Sequence, residues 1–102
     1  MSNMYAVIYR FDVTKGQEKD FETLWQMVTE SFIQHAGGLG SRLHKNGMGS
    51  YIAYAQWPDK KAWETARQKL PKKALKNLQR MNTYCEKITV LFNMEVKNDL
   101  LL

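Results

Sequence analysis

The chain has 102 residues, a length that suits one domain with a single core, and residues 1–102 are treated as one domain. Its hydrophobic fraction of 44%, charged fraction of 25% and net charge of +5 fit a soluble globular protein, and no apolar run approaches the roughly 20 residues of a membrane helix. The single cysteine, Cys85, excludes an internal disulfide framework, and together with an N-terminus unlike a signal peptide it predicts a cytoplasmic protein.

The first third of the chain predicts a strand followed by an amphipathic helix. Residues 4–13 alternate with a period of two, and one side carries Tyr5, Val7, Tyr9, Phe11 and Val13. Thr14 and Gln17 form a capping-box pattern, which predicts that a helix begins here. Apolar residues then recur at steps of three and four, at Phe21, Leu24, Trp25, Val28 and Phe32. Gly37-Gly38 predicts the end of this helix, because glycine accepts the left-handed conformation.

The next segment predicts a hairpin that runs into a second helix. Residues 39–45 and 50–57 are two strand-like runs, and Asn46-Gly47 between them is a strong hairpin signal. Asp59 is placed to cap a helix whose buried side carries Trp63, Ala66 and Leu70. We expect a break at Pro71, because proline removes a helical hydrogen bond.

The rest of the chain predicts a second helical piece and a last strand. The inward side of the helical piece carries Ala74, Leu75, Leu78 and Met81. The strand runs from about residue 85 to 96, and the alternating pattern assigns one face to Ile88, Val90, Phe92, Met94 and Val96.

The charge is concentrated in residues 60–80, which hold eight basic residues and one acid, Glu64. This segment lacks the glycine- or serine-rich interleaving and the stacking aromatics of a nucleic-acid binder. We therefore predict a solvated helix face and no nucleic-acid partner, with attraction of an anionic small molecule as an alternative.

The element order is β-α-β-β-α-β, which predicts the α+β, ferredoxin-like fold, with a four-stranded antiparallel sheet and the helices on one face. The other face of the sheet is also apolar in the pattern, with Met4, Ala6, Ile8 and Leu91. Residues 100–102 are three consecutive leucines at the terminus, which would gain nothing from exposure to water. We therefore expect a homodimer that packs sheet face to sheet face.

Several stretches of this sequence are recognisable. They are VIYRFDVTKGQEKDFETLW, GGLGSRLH, YIAYAQWPDKKAWE and the DLL of the tail, which together span about residues 5–101. In these stretches the chain resembles the antibiotic biosynthesis monooxygenase (ABM) family. The most specific parts are Lys15-Gly16 and the strand-to-helix junction Gln56-Trp57-Pro58-Asp59. Both parts are structural signatures rather than catalytic ones.

The resemblance implies a dimeric α+β barrel with a ligand pocket between the sheet and the helices of each protomer. For the enzymes of the family it also implies oxygenation of phenolic or quinol-type substrates by O₂ without metal, flavin or nicotinamide. The haem-degrading branch requires an asparagine, a tryptophan and an axial histidine, which fall here at Tyr9, Thr65 and about Leu75. We therefore do not expect haem degradation.

The candidates for acid–base chemistry lie on the second strand. His44 is the best base, because the unperturbed pKa of histidine is about 6.5. A solvated histidine near a turn is the alternative reading. Arg42 shares the parity of His44 and would hold an anionic oxygen, or else form a salt bridge between subunits with an acid such as Asp12. The isolated histidines and the cysteine have no metal-ligand spacing, so we expect no metal. The family resemblance implies that there is no resident cofactor.

The candidate pocket residues are mainly aromatic: Tyr9, Trp25, Tyr54, Gln56 and Trp63. The hydroxyl of Tyr9 would bond a ligand or anchor to a backbone carbonyl, and the two tryptophans would serve as ligand walls or as core. Two functions follow as hypotheses. The first is a cofactor-independent monooxygenase that oxidises a quinol, anthrone or polyphenol. The second is a non-catalytic homodimer that binds a hydrophobic small molecule.

Overall fold

The helices and strands occur in the predicted order in a computed structural model, which describes residues 3–47 and 49–101. The strands are β1 (Tyr5–Val13), β2 (Gly40–Asn46), β3 (Ser50–Trp57) and β4 (Cys85–Glu95). The helices are α1 (Glu18–Ala36), α2 (Lys60–Glu64) and α3 (Lys72–Thr83), with a 3₁₀ turn at Ala66–Lys69 between the last two.

The four strands form one antiparallel sheet in the order β2-β3-β1-β4, which confirms the ferredoxin-like fold. One face of this sheet is covered by the helices, and we call it the helix face. Its main cluster joins Phe11, Tyr51 and Ala53 of the strands to buried residues of α1 and α3. A second cluster joins Tyr5, Val7 and Trp57 to Ala36 and Ala66. Burial of this apolar surface is the main force that holds the helices on the sheet.

The start of α1 differs from the capping-box prediction. The helix begins at Glu18, after a turn in which the Gln17 amide donates to the Thr14 carbonyl at 2.9 Å. Thr14 is not the cap; Gln17 precedes the helix without capping it by its side chain, and the Glu18 carboxylate accepts from the Gly16 amide at 2.9 Å. The Glu18 carboxylate thus closes the turn that precedes the helix, and its charge in the first turn suits the positive end of the helix dipole.

The end of α1 agrees with the glycine signal. Gly37 has a φ of 76°, in the left-handed region, and it follows the last helical residue. At Gly38, an added Cβ would approach the Phe32 carbonyl oxygen to 3.3 Å and the Trp57 ring to 3.4 Å. The glycine pair therefore ends the helix and lets the chain pass close to the indole of Trp57.

The second helical region is more broken than the sequence suggests. Asp59 caps α2 as predicted, because its carboxylate accepts from the Ala62 amide at 2.8 Å. The α-helical part then ends at Glu64, and the chain tightens into the 3₁₀ turn before Leu70 takes an extended conformation. Pro71 stands before α3, where its missing amide proton costs no helical hydrogen bond.

Strand β4 contains an irregularity that overturns the predicted faces. Val90 pairs with Tyr9, whereas Phe92 pairs with Ile8, so the register shifts at Leu91. Residues paired across antiparallel strands point to the same face. Phe92 and Met94 therefore lie opposite the helices, beside Ile8 and Ala6, and not on the face of Ile88 and Val90. The strand also ends at Glu95, one residue before Val96.

The sheet face away from the helices, which we call the outer face, carries a large apolar surface in this single chain. Phe92 is 59% exposed and Met94 is 40% exposed. Ile8, Ile52 and Tyr54 are half-buried beside them. In the tail, Leu100 and Leu101 are exposed as well, while Leu102 lies outside the described residues. Across residues 3–47 and 49–101, every helix is too short or too polar to cross a membrane.

Candidate functional site

A cavity of about 280 Å³ lies between the helix face and α1, α3 and the 3₁₀ turn. Its walls are mostly apolar and include Tyr9, Phe11, Trp25, Val28, Phe32, Ala53, Ala55, Leu78 and Met81. Small alanines on β3 leave room that larger side chains would fill. A closed site for one benzene needs about 150 Å³, so this cavity suits an aromatic molecule of one or two fused rings.

Tyr9 presents a hydroxyl group at the wall of this cavity. The Trp63 indole Nε1 donates to the Tyr9 hydroxyl oxygen at 2.8 Å. An indole N–H can only donate, so the Tyr9 oxygen must accept, and its own proton is left for another acceptor. Burial raises the pKa of Tyr9, against smaller lowering effects of the Trp63 hydrogen bond and the Arg67 charge. The hydroxyl is therefore protonated at neutral pH and acts as a hydrogen-bond donor.

A second donor in the wall is the indole of Trp57. This side chain is only 4% exposed, and its Nε1 has no hydrogen-bond partner in the part of the chain that the structure describes. A buried donor without an acceptor costs about 1–3 kcal/mol.

The remaining polar groups of the lining carry no negative charge. Within the described ranges the lining contains no aspartate, glutamate or histidine, and Arg67 is its charged residue. Thr29, Ser41, Gln56 and Asn82 complete the polar groups. The cavity can therefore donate hydrogen bonds to an anionic oxygen, but its lining supplies no carboxylate or imidazole base.

The structure divides the predicted site residues between the two faces of the sheet. Tyr9 and Trp25 line the cavity. Trp63 is not part of the lining, but it donates a hydrogen bond to the Tyr9 hydroxyl. Gln56 borders the cavity, but its side-chain Nε2 donates to the Tyr54 hydroxyl at 3.4 Å. Tyr54 pairs with Ile8 and thus lies on the outer face.

The predicted acid–base pair also lies on the outer face. His44 pairs with Ile52 and Arg42 pairs with Tyr54, so both have the parity opposite to the cavity residues Ala53 and Ala55. His44 is exposed, and its Nδ1 lies 2.9 Å from the Ile52 carbonyl oxygen. These two side chains border a shallow groove with Tyr54, Gln56 and Leu101. The sheet therefore separates them from the cavity, and their catalytic role stays a prediction.

Sequence reasoning missed Arg67 and Asn82 as cavity residues and treated Trp57 only as part of a structural junction. The sequence shows Arg67 as one member of the basic segment. Its position in the cavity lining, together with Tyr9 and Trp25, depends on the 3₁₀ turn, which the sequence did not predict. For β3 a usable signal was present. The alternation of residues 50–57 assigns Tyr54 and Gln56 to the face opposite to Trp57.

Cys85 is half-buried outside the cavity lining, where burial and, to a smaller extent, Asp12 raise the pKa of its thiol to about 11. At pH 8 a thiol with that pKa is roughly 0.1% thiolate, against about 24% for an unperturbed cysteine. We expect Cys85 to react with a disulfide reagent such as DTNB about a hundredfold slower in the folded protein than in denaturant. Stopped-flow absorbance would measure both rates, and equal rates would contradict the structure.

The family comparison agrees with this architecture. The family model described as "Antibiotic biosynthesis monooxygenase" matches residues 4–76, well over half of the chain. The protein belongs to this family. The match supports a monooxygenase as its general class of activity. A comparison with curated protein sequences finds no significant match.

Solved structures share the fold at low sequence identity. The cofactor-independent oxygenase SnoaB of Streptomyces nogalater has a TM-score of 0.76 at 18% identity, covering 97% of this chain and 98% of its own. A putative antibiotic biosynthesis monooxygenase of Bordetella bronchiseptica has a TM-score of 0.77 at 18% identity, covering 95% and 100%. Rv0793 of Mycobacterium tuberculosis has a TM-score of 0.75 at 13% identity, covering 96% and 99%. At these identities the likeness extends to the fold alone.

Proposed function

We propose that this protein is a monooxygenase that oxidises a phenolic or quinol-type aromatic molecule with O₂ in the cavity on the helix face, without a resident cofactor. Family membership supports the reaction class, and SnoaB is a cofactor-independent oxygenase with the same fold. The observation that carries the proposal is the Tyr9 hydroxyl, which is held by Trp63 so that its proton points away from the indole. Such a donor in an apolar cavity stabilises a phenolate better than it would in water.

The reaction that we propose draws its electrons from the substrate. A bound phenolate or enolate gives one electron to O₂, and the resulting carbon radical and superoxide combine by forming a C–O bond. The peroxide then loses the remaining proton of that carbon to its outer oxygen and breaks the O–O bond. The carbon, which is a CH₂ group in the keto form of the substrate, becomes a carbonyl group, and the second oxygen atom leaves as water. Within residues 3–47 and 49–101 the lining supplies no carboxylate or imidazole base. The substrate must therefore be acidic enough to lose its first proton to water.

Assembly as a homodimer is part of the proposal. The apolar outer face joins Ile8 to Phe92 and Met94 on the adjacent strand, and Ile52 and Tyr54 continue it on β3. Ala6 lies on the same face but is already buried in the single chain. A soluble monomer rarely leaves such a contiguous apolar surface in water. A second copy packed on the same face would bury it by a self-complementary contact.

The alternative function, a non-catalytic binder of aromatic molecules, is favoured by the lack of a carboxylate or imidazole base in the lining. Oxygen uptake with a panel of hydroquinones, naphthohydroquinones and anthrones separates the two. We expect uptake that is proportional to protein concentration, exceeds spontaneous oxidation and survives treatment with EDTA. A substrate that binds, as measured by quenching of tryptophan fluorescence, but gives a flat oxygen trace would favour the binder.

The matched control for this assay narrows the mouth of the cavity without changing the core. Ile33 lines the cavity but is 48% exposed, so Ile33→Trp should fold normally. We expect this variant to lose most of the binding and the oxygen uptake together. If uptake continued unchanged in Ile33→Trp, the reaction would have to occur elsewhere.

A further inference from the structure

Arg67 is a charged residue at the mouth of a cavity that is otherwise neutral. It lies in the 3₁₀ turn, where its neighbour Ala66 is buried among Tyr5, Val7 and Trp57. That burial fixes the backbone, while the Arg67 side chain remains exposed and borders the same cavity as Tyr9 and Asn82. The guanidinium is close enough to Tyr9 for its charge to be felt at the hydroxyl group.

Nothing in the described structure neutralises this charge. Among residues 3–47 and 49–101 the ion pairs are Arg10–Asp12 and Lys97–Glu95, and neither involves Arg67. Among the described residues the cavity lining contributes no carboxylate, and the segment 60–80, to which Arg67 belongs, carries eight basic side chains against one acid. The mouth of the cavity therefore has a positive potential without an internal counter-charge, which favours an anion entering from solvent.

We infer that the molecule that binds in this cavity carries an anionic group, a carboxylate in the first place, which pairs with Arg67 while its phenolic oxygen meets Tyr9. A guanidinium presents two parallel N–H donors that match the two oxygens of a carboxylate. The ligand would then be a hydroxyaromatic acid, held at one end by charge and at the other by the Tyr9 hydroxyl. This inference rests on the proposed function for the site, but it concerns binding and not turnover.

A pair of quinols that differ in charge and by one methyl group tests the inference. 1,4-Dihydroxy-2-naphthoate and its methyl ester have the same two fused rings, which suit the size of the cavity. Binding is measured by tryptophan fluorescence without oxygen, so that oxidation does not interfere. We expect the acid to bind about tenfold or more tightly than the ester, as a charge-assisted contact predicts, and the advantage to shrink as salt rises from about 50 to about 500 mM.

Three variants separate a direct contact from the general positive field. Arg67→Ala should remove the preference for the acid and leave the affinity for the ester within about twofold of that of the unmodified protein. If the alanine variant misfolds, Arg67→Gln should give the same result. Lys69→Ala, in the same 3₁₀ turn but not in the cavity lining, is the matched control and should keep the preference. Equal binding of acid and ester to the unmodified protein would overturn the inference. An equal loss of preference in Lys69→Ala would overturn the direct contact.

Oxygen uptake is recorded separately for the same two compounds. If the acid binds more tightly but no quinol of the panel is oxidised, the proposed oxygenase function fails and the anion site stands. If both compounds are oxidised with the same KM, the function stands and the anion site fails.

Discussion

Ile8→Asp is expected to convert the proposed homodimer into a monomer or an unfolded chain. Ile8 lies at the centre of the apolar outer face, paired with Tyr54 on one side and Phe92 on the other. A carboxylate placed there would be buried without a partner if two outer faces packed together, at a cost of several kcal/mol. Size-exclusion chromatography with light scattering should give a molar mass of about twice 11.9 kDa for the unmodified protein. The Ile8→Asp variant should not give this dimer mass.

Two further variants make this result interpretable. Phe92 is 59% exposed in the single chain, so Phe92→Asp should disrupt the dimer while the monomer stays folded. Gln26→Asp adds the same charge to the exposed surface of α1 and should leave the dimer intact. The unmodified protein running as a well-behaved monomer at micromolar concentration would contradict the proposed assembly.

The alternation of residues predicted most of the fold. The first strand could be assigned because its two faces differ: Tyr5, Val7 and Phe11 face the helices, whereas Arg10 and Asp12 do not. In β4 apolar residues recur at every second position from Ile88 to Met94, so the sequence holds no sign of the register shift at Leu91. A single extra residue in a bulge moves every later side chain to the opposite face. The predicted inward face of β4 was therefore wrong from Phe92 onward.

The candidate site was harder to predict than the fold, because it depends on which face of the sheet each side chain occupies and on how the helices pack there. The sequence identifies residue types that suit the chemistry, such as His44 and Tyr9, but it does not show that the sheet lies between them. Arg67 reaches the cavity only because the chain tightens from α2 into the 3₁₀ turn. That change depends on packing of Ala66 and Leu70 against the sheet and the helices, a tertiary effect that local propensity does not report.

The role of Trp63 is another tertiary effect. The sequence places it on the inward side of a helix, where it would be either core or ligand wall. In the structure Trp63 stacks on Tyr5, with ring centroids 5.8 Å apart, and it orients the Tyr9 hydroxyl through Nε1. It is therefore a positioning residue for Tyr9, outside the cavity lining itself.

Tyr9→Phe is expected to weaken ligand binding or kcat/KM about tenfold or more. The lost contact would be a hydrogen bond to a phenolate, and bonds to charged groups contribute about 1.5–3 kcal/mol. The change also removes the acceptor of the Trp63 indole, so we expect a loss of about 1 kcal/mol in the free energy of unfolding. Anaerobic fluorescence titration, oxygen uptake and urea denaturation would measure the three quantities.

Tyr5→Phe is the matched control, because Tyr5 lies on the same strand and the same face but outside the cavity lining. Its hydroxyl donates to the Asn93 side-chain oxygen at 2.5 Å, so the variant should lose stability and keep ligand affinity. Trp63→Phe should reproduce part of the Tyr9→Phe defect, and the double variant should be no worse than Tyr9→Phe, since Trp63 acts through Tyr9. If Tyr9→Phe behaved like Tyr5→Phe, with lower stability and unchanged binding, Tyr9 would be a core anchor and the cavity would not be the ligand site.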